Sequence, residues 1–184
     1  MSMNEQDIIR KATQGDPDAF CRIYGLYQHR LYRHAYYRLG NERDAEDAVS
    51  ECVLSAWQQI SSLRDPVAFP AWISRILSGC CGKLIRQQID RRKEESPGSG
   101  NEPSAESAGI HYDDAGPEEA LVLRDALTSL PEEDRNIVLL SVVAGFKSRE
   151  IADMTGLTAG SVRSRLSRNL KKLRAFLEEM EKRS

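Results

Sequence analysis

The sequence of 184 residues lacks a hydrophobic run of the roughly 20 residues that a membrane-spanning helix needs. Its N-terminus, MSMNEQDIIRK, also lacks the apolar core of a signal peptide. The sequence therefore predicts a cytoplasmic chain without membrane insertion.

Clustered metal ligands are equally scarce. The four cysteines contain no CxxC spacing, and the three histidines are isolated from one another. Buried, reduced thiols are the interpretation that fits Cys21, Cys52, Cys80 and Cys81. The sequence thus predicts no catalytic residue, no metal site and no cofactor, and therefore a protein that is not an enzyme.

Alternation of apolar and polar residues with a period of two is almost absent, whereas a period of 3.6 recurs along the chain. This periodicity predicts an all-α fold, and an apolar fraction of 40% suffices for two modest cores. Asp16 is expected to cap a helix that has Pro17 at its first position. The first predicted helices cover residues 4–24, interrupted at GDPDA, then 26–39, 42–60 and about 67–92.

The segment 94–117, EESPGSGNEPSAESAGIHYDDAGP, has six acidic groups, no basic one and almost no large apolar residue. Such a composition cannot bury enough surface to offset its ordering entropy, so it predicts a flexible acidic linker. The linker divides the chain into two small helical domains, 1–93 and 118–184. The second domain has the pattern of a four-helix module, in which Gly145 is expected to end the second helix.

Residues 148–174 have the spacing of a helix-turn-helix. Ser148 is expected to cap a short helix, Gly156 permits the sharp turn, and Thr158 caps the helix that follows. In such motifs the N-terminal half of the second helix contacts base edges in the major groove. Four apolar residues of that helix are expected to point inward: Val162, Leu166, Leu170 and Leu173.

The other face of this second helix is basic, because residues 156–174 contain six positive charges and no negative one. Arginine can bind guanine in a bidentate manner, serine allows close approach, and lysines further along suit phosphates. The alternative is a solvated basic helix without a nucleic-acid ligand. The residues predicted to contact DNA are Ser161, Arg163, Ser164, Arg165, Ser167, Arg168, Lys171 and Lys172.

Two helices of the first domain have unusual charge. In DAEDAVSECVLSAW, Asp44, Asp47 and Glu51 recur at helical spacing, which fits either a solvated face or a docking face for a basic partner. The long helix ends in KLIRQQIDRRK, with five positive groups against one negative, and Arg75 precedes it. A basic helix end attracts phosphates without regard to sequence.

In this order, these segments resemble the sigma-70 family of RNA polymerase sigma factors, and in particular its compact extracytoplasmic-function (ECF) group. The resemblance extends over about residues 5–176. It is strongest at LPEEDRNIVLL and GSVRSRLSR in the second domain, and DAEDAVSECVLSAW matches well in the first. It implies a subunit that binds core RNA polymerase through the beta-prime clamp helices and the beta flap, directs it to promoter DNA and aids melting. It also implies an anti-sigma factor as a further partner.

The resemblance also implies roles for individual segments and residues. Residues 1–93 would be region 2, which binds the clamp and the −10 element, and residues 118–184 would be region 4, which reads the −35 element. The acidic linker would thread through a basic channel of the polymerase. The −35 readers would be Arg163, Ser164, Ser167 and Arg168. The polymerase-binding residues would be Asp44, Glu46, Asp47, Ser50, Glu51 and Trp57. The −10 residues would be Arg75, Gly79, Lys83, Arg86, Arg91 and Arg92.

The sequence departs from the family pattern at the −10 reader. Family members usually have an asparagine seven residues after the tryptophan of the long helix, where this chain has Gly79. They often have a glutamine where Ser50 stands. The hypothesis is that −10 recognition uses the loop 61–68 together with basic residues, and discriminates weakly between bases.

Two other classes of function are weighed against this one. A helix-turn-helix regulator that acts without polymerase would explain the second domain, but would leave the DAEDAV helix and the linker without a role. A metal-dependent nuclease could use Asp44, Asp47 and Glu51. Three carboxylates on one helix, without a histidine or a second carboxylate cluster, make a poor metal site.

Overall fold

The computed structural model describes residues 4–94 and 117–182, and within these ranges the chain forms eight α-helices and no β-strand. The predicted all-α class is confirmed. The predicted linker lies almost entirely outside the described residues. Two 3-10 turns, Ile60–Ser62 and Pro66–Ala68, lie between the third and the fourth of these helices. The helices are α1 (Glu5–Thr13), α2 (Pro17–Leu39), α3 (Glu42–Gln59), α4 (Phe69–Glu94), α5 (Pro117–Thr128), α6 (Glu132–Val142), α7 (Ser148–Thr155) and α8 (Ala159–Glu181).

The start of α2 agrees with the sequence and its middle does not. Oδ1 of Asp16 accepts hydrogen bonds from the backbone N–H groups of Asp18 at 3.0 Å and Ala19 at 3.1 Å, as expected of a cap. The predicted boundary near Gly25 is wrong, because α2 continues through it to Leu39. A glycine inside a helix costs only about 0.5–1 kcal/mol, and the buried face of α2 continues on both sides of it.

The first core lies among α1, α2, α3 and α4, the helices of the first domain. Cys52, Cys80 and Cys81 are buried in it as free thiols, and burial raises the pKa of the Cys81 thiol to about 12. Cys21 is exposed, so the prediction of a buried thiol is wrong for that residue. Its position on α2 falls outside the apolar stripe, which is why burial did not extend to it.

The second domain has an apolar core formed by α5, α6, α7 and α8, and two sequence predictions are corrected there. Leu170 is 42% exposed, and Asn169 beside it is fully buried, so Asn169 takes the inward position. The helical period places residue 169, not 170, on the side of Val162 and Leu173. The cap of α7 is Lys147 rather than Ser148; the Lys147 N–H donates to the Glu150 carboxylate at 2.7 Å.

The two domains are in direct contact through α2, which packs against α5 and α6. Tyr37 of α2 is almost fully buried within the apolar cluster of the second domain. Ala71 of α4 packs against the cluster that contains Phe146. The sequence predicted two modules joined by a linker, and the structure adds an interface between them.

Candidate nucleic-acid interface

The turn between α7 and α8 depends on one glycine and one threonine. Gly156 has φ of 73°, a left-handed conformation that favours glycine, and its N–H donates to the Ala152 carbonyl at 2.9 Å. Oγ1 of Thr158 accepts from the Ser161 N–H at 3.2 Å and so caps α8. These local bonds set α7 and α8 at the sharp angle of a helix-turn-helix.

The outward face of α8 is polar and basic, as the sequence predicts. Val162 and Leu173 are buried beneath it, and Leu166 is partly buried. A helix of this kind can enter the major groove with its first two turns on base edges and its later lysines near phosphates. The exposed residues are Ser161, Arg163, Ser164, Ser167, Arg168, Lys171, Lys172 and Arg174.

Arg165 is placed differently from the other basic residues of α8. Its Nη1 lies 3.1 Å from the Glu133 carboxylate and 3.4 Å from the Asp134 carboxylate, both in the first turn of α6. The side chain is 33% exposed. Arg165 is therefore turned toward the body of the domain rather than outward with its neighbours.

Four of the candidate −10 residues follow one face of α4 at intervals of three and four residues: Arg75, Gly79, Lys83 and Arg86. Arg75, Gly79, Lys83, Arg86 and Arg91 are exposed, whereas the side chain of Arg92 lies outside the described part of the structure. A Cβ atom at residue 79 would meet nothing within 4 Å, so this position is an open gap between basic side chains.

Lys83 is paired with α3. Its Nζ donates to the Glu51 carboxylate at 2.7 Å, and this contact raises the pKa of the Lys83 ammonium group. The pair is exposed, so salt screens it and a phosphate can compete for Lys83.

The acidic residues of α3 divide into two groups. Asp44 accepts hydrogen bonds from the side-chain amides of Asn41 and Gln88, and Glu51 pairs with Lys83, so both carboxylates connect to neighbouring structure. Glu46, Asp47 and Ser50 are exposed. The sequence suggested one common face for Asp44, Asp47 and Glu51. In the structure Asp44 and Glu51 contact α4, whereas Asp47 faces solvent.

The structure adds an apolar residue to the exposed side of α3 that sequence reasoning missed. Leu54 is 64% exposed, and the indole of Trp57 is partly exposed while its ring packs 5.1 Å from the Phe20 ring. Asp47, Ser50, Leu54 and Trp57 follow one another at intervals of three and four residues, and so form a stripe on one side of the helix. Leu54 could have been found from its position outside the buried stripe of α3.

Two absences apply to the described ranges, 4–94 and 117–182. No helix there is both long and apolar enough to cross a membrane. No group of three His, Cys, Asp or Glu side chains there is arranged to hold a metal ion.

Comparisons with known proteins agree with the two-domain architecture. Residues 23–91 match the family described as Sigma-70 region 2, and residues 120–173 match Sigma-70, region 4. RNA polymerase sigma factor SigV of Bacillus subtilis is 30% identical, over 80% of this chain and 84% of its own length. ECF RNA polymerase sigma factor SigW of the same organism is 26% identical over 98% of this chain and its entire length.

A solved structure gives the same fold. The sigma factor RpoE from Bartonella quintana, in a complex with the anti-sigma factor NepR, aligns with a TM-score of 0.73. It is 23% identical and covers 86% of this chain and 96% of its own, a likeness that concerns the fold alone. The region matches, together with the relatives in sequence, show that this chain belongs to the sigma-70 family of RNA polymerase sigma factors, in its ECF group.

Proposed function

We propose that this sigma factor binds core RNA polymerase, directs it to promoters by contacting two DNA elements, and aids strand opening. It acts where the polymerase acts, in the cytoplasm, as a regulatory subunit that is not itself an enzyme. Residues 1–93 bind the polymerase clamp and the −10 element, residues 118–184 bind the −35 element, and residues 94–117 connect them. The observation that carries the proposal is the outward face of α8, with arginines and serines at groove-reading spacing.

The −35 contact is assigned to the first half of that face. Arg163 and Arg168 are exposed there, and each guanidinium can grip a guanine with two hydrogen bonds. Ser164 and Ser167 are small enough to let the backbone of α8 approach the bases. Lys171 and Lys172 continue the basic surface toward the phosphates.

The exposed stripe of α3 is assigned to the polymerase clamp. It combines the carboxylate of Asp47 with the apolar surfaces of Leu54 and Trp57, and Glu46 adds a second exposed carboxylate. An apolar patch with a charged rim is typical of a protein-binding surface. Asp44 and Glu51 support this surface from behind through their contacts with α4.

The −10 contact is assigned to the basic face of α4 and to the loop before it. Gly79 offers no side chain to hold a base, whereas Arg75 and Arg86 are exposed for phosphate contacts and Val67 is an exposed apolar residue of the loop. We expect weak base discrimination at −10. A scan of −10 substitutions tests this, and strong dependence on a single base would contradict it. Gly79→Asn is the matched variant, and it should increase discrimination because the open gap accepts a side chain.

An anti-sigma factor is proposed as a further partner. A solved neighbour of this fold, the sigma factor RpoE from Bartonella quintana, is in a complex with the anti-sigma factor NepR. Such a partner would compete with the polymerase for the clamp-binding surface. The test is a competition experiment, in which core polymerase and a partner captured with this chain should each displace the other from it.

The decisive experiment for the function is transcription in vitro with core polymerase, followed by mapping of the start sites. Arg163→Ala and Arg168→Ala should each weaken a −35 duplex by about 1–3 kcal/mol in a base-dependent way. Lys172→Ala should weaken all duplexes about equally and reduce the salt dependence. Failure to co-purify with core polymerase would favour the regulator that acts without it.

A further inference from the structure

The six positive side chains of α8 between residues 163 and 174 differ in one respect. Five of them are exposed, and Arg165 is held between two carboxylates of α6. Asp134 is largely buried, with 18% of its side chain exposed, whereas Glu133 is mostly in solvent. Both contacts use Nη1 of Arg165, and they hold its guanidinium against α6, away from the outward face of α8 that would meet bases.

The first turn of α6 is a fixed anchor for this contact. The Arg135 guanidinium donates to the backbone carbonyls of Leu127 at 2.8 Å, Thr128 at 3.0 Å and Leu130 at 3.1 Å, which joins the turn to the end of α5. Glu132 in the same turn pairs with Arg38 of the first domain. The carboxylates that hold Arg165 therefore belong to a turn that Arg135 restrains from within the second domain, whether or not the contact with Arg38 is made.

The inward face of α8 is apolar at Val162, Leu166 and Leu173 but is interrupted by one polar residue. Val162 and Leu173 are buried, but between them lies Asn169, which is fully buried with neither side-chain polar atom in a hydrogen bond among the described residues. The apolar stripe sets which face of α8 meets the core, but hydrophobic packing is non-directional and leaves small rotations of the helix less restricted. A directional contact such as that of Arg165 can set the rotation.

We propose that Arg165 is a positioning residue: it fixes the rotation of α8 through Glu133 and Asp134, so that Arg163, Ser164, Ser167 and Arg168 face the bases, and it does not itself contact DNA. This inference rests on the proposed function of α8 as the −35 reader. A rotation of about 20° moves an atom at the helix surface, 5–6 Å from the axis, by about 2 Å. That displacement is enough to break a bidentate hydrogen bond with a base.

Removal of the two carboxylates distinguishes positioning from DNA contact, because the two roles predict opposite signs. The variant Glu133→Gln/Asp134→Asn loses two negative charges and releases Arg165. If Arg165 contacted DNA, affinity for a −35 duplex from a mapped promoter would rise. We expect it to fall by about threefold to tenfold, while affinity for a scrambled duplex stays level or rises. The measured quantity is the ratio of the two affinities, by fluorescence anisotropy on the full chain.

A matched control carries the same change in charge elsewhere in the second domain. Asp153 on α7 and Glu178 on α8 are both exposed, and Asp153→Asn/Glu178→Gln should tighten binding to both duplexes slightly. Thermal unfolding of each variant identifies a loss that reflects unfolding alone. Arg165→Lys keeps the positive charge but lacks the planar set of donors of a guanidinium, so it should retain part of the affinity ratio. Arg165→Gln lacks the charge as well and should retain less of the ratio.

The outcomes separate the inference from the function on which it rests. A higher affinity ratio, or an unchanged one, in Glu133→Gln/Asp134→Asn overturns the positioning role of Arg165. If Arg163→Ala and Arg168→Ala also leave the ratio unchanged, α8 is not the −35 reader and the proposed function itself fails. A lower ratio in all three variants, with unfolding temperatures near that of the parent chain, supports both.

Discussion

Arg38 of α2 and Glu132 of α6 form an ion pair across the contact between the two domains. Nε of Arg38 donates to the Glu132 carboxylate at 2.8 Å, and its Nη1 donates to the Ser78 carbonyl at 3.1 Å. The carbonyl of Arg38 accepts from Arg135 at 2.8 Å. One arginine thus joins two helices of the first domain to the first turn of α6.

The proposed function, in which one chain contacts both promoter elements, requires the two domains to separate. The −35 and −10 elements are about 25 base pairs apart, or about 85 Å at 3.4 Å per base pair. The longest helix, α4, has 26 residues and spans about 39 Å. Domains packed directly through α2 and α6 cannot cover that distance, so we expect the contact to open when the factor engages a promoter.

Arg38→Ala should shift the chain toward the open arrangement. The Arg38 side chain is nearly buried while Glu132 is 36% exposed, so the cost should be about 1–3 kcal/mol, below that of a fully buried pair. Fluorescence energy transfer between dyes on the two domains should fall, and the radius of gyration should rise. The control is Arg10→Ala, which removes an exposed pair within α1. Equal distances in both variants would show that Arg38 does not hold the domains together.

Acid should open the same contact through His34. Nε2 of His34 lies 3.3 Å from Oδ1 of Asn136, across the interface. Burial, and secondarily the charge of Arg38, lowers the pKa of His34 to about 3, and the Asn136 contact opposes this only in part. The neutral ring is therefore required in the packed state, whereas an exposed ring in the open state titrates near 6.5.

The pKa of His34 is lower in the packed state than in the open state. The stabilisation of the packed state by neutral His34 is therefore complete above pH 6.5 and is lost as the pH falls from 6.5 toward 3. At pH 5 the loss is about 2 kcal/mol. Energy transfer between the domains should therefore decrease between pH 7 and pH 5. His34→Gln should weaken that dependence, and an identical pH profile in this variant would exclude His34 as its origin.

Asn169→Leu should stabilise the second domain. A buried amide without hydrogen-bond partners costs about 1–3 kcal/mol, and leucine has a similar size without that penalty. Urea unfolding should show a higher midpoint. Asn136→Leu is the contrasting variant, because that buried amide contacts His34 and its loss should weaken the domain contact. A lower midpoint for Asn169→Leu would mean that the amide has a partner in solution.

Leu54→Ser should weaken binding to core polymerase without affecting the fold. The leucine is largely in solvent, so its removal changes the unfolding free energy by about 0.5 kcal/mol or less. If it enters a clamp pocket, its loss should weaken the complex by about 1–3 kcal/mol. Leu26→Ser on α2, also largely exposed, is the matched control. Equal affinities for Leu54→Ser and Leu26→Ser would remove Leu54 from the docking surface.

Local features of the sequence determined much of this molecule. The helical period predicted the class of fold, Asp16 and Thr158 predicted their caps, and Gly156 predicted the turn that orients α8. These predictions succeeded because each depends on residues within one or two turns of the chain, where backbone geometry decides the outcome. The exposed positions of Arg163 and Arg168 followed from the same period.

Tertiary structure alone decided which charges are free for a partner. Arg165 lies three residues after Val162 and four before Asn169, so the helical period places it beside the buried face, but only the approach of α6 brings Glu133 and Asp134 to it. The pairing of Arg38 with Glu132 joins residues 94 positions apart. The helical period indicates which face of a helix is buried. The partner of a charged side chain depends instead on how whole helices pack against one another. For that reason the exposed basic face of α8 could be predicted from the sequence, and the contact of Arg165 with α6 could not.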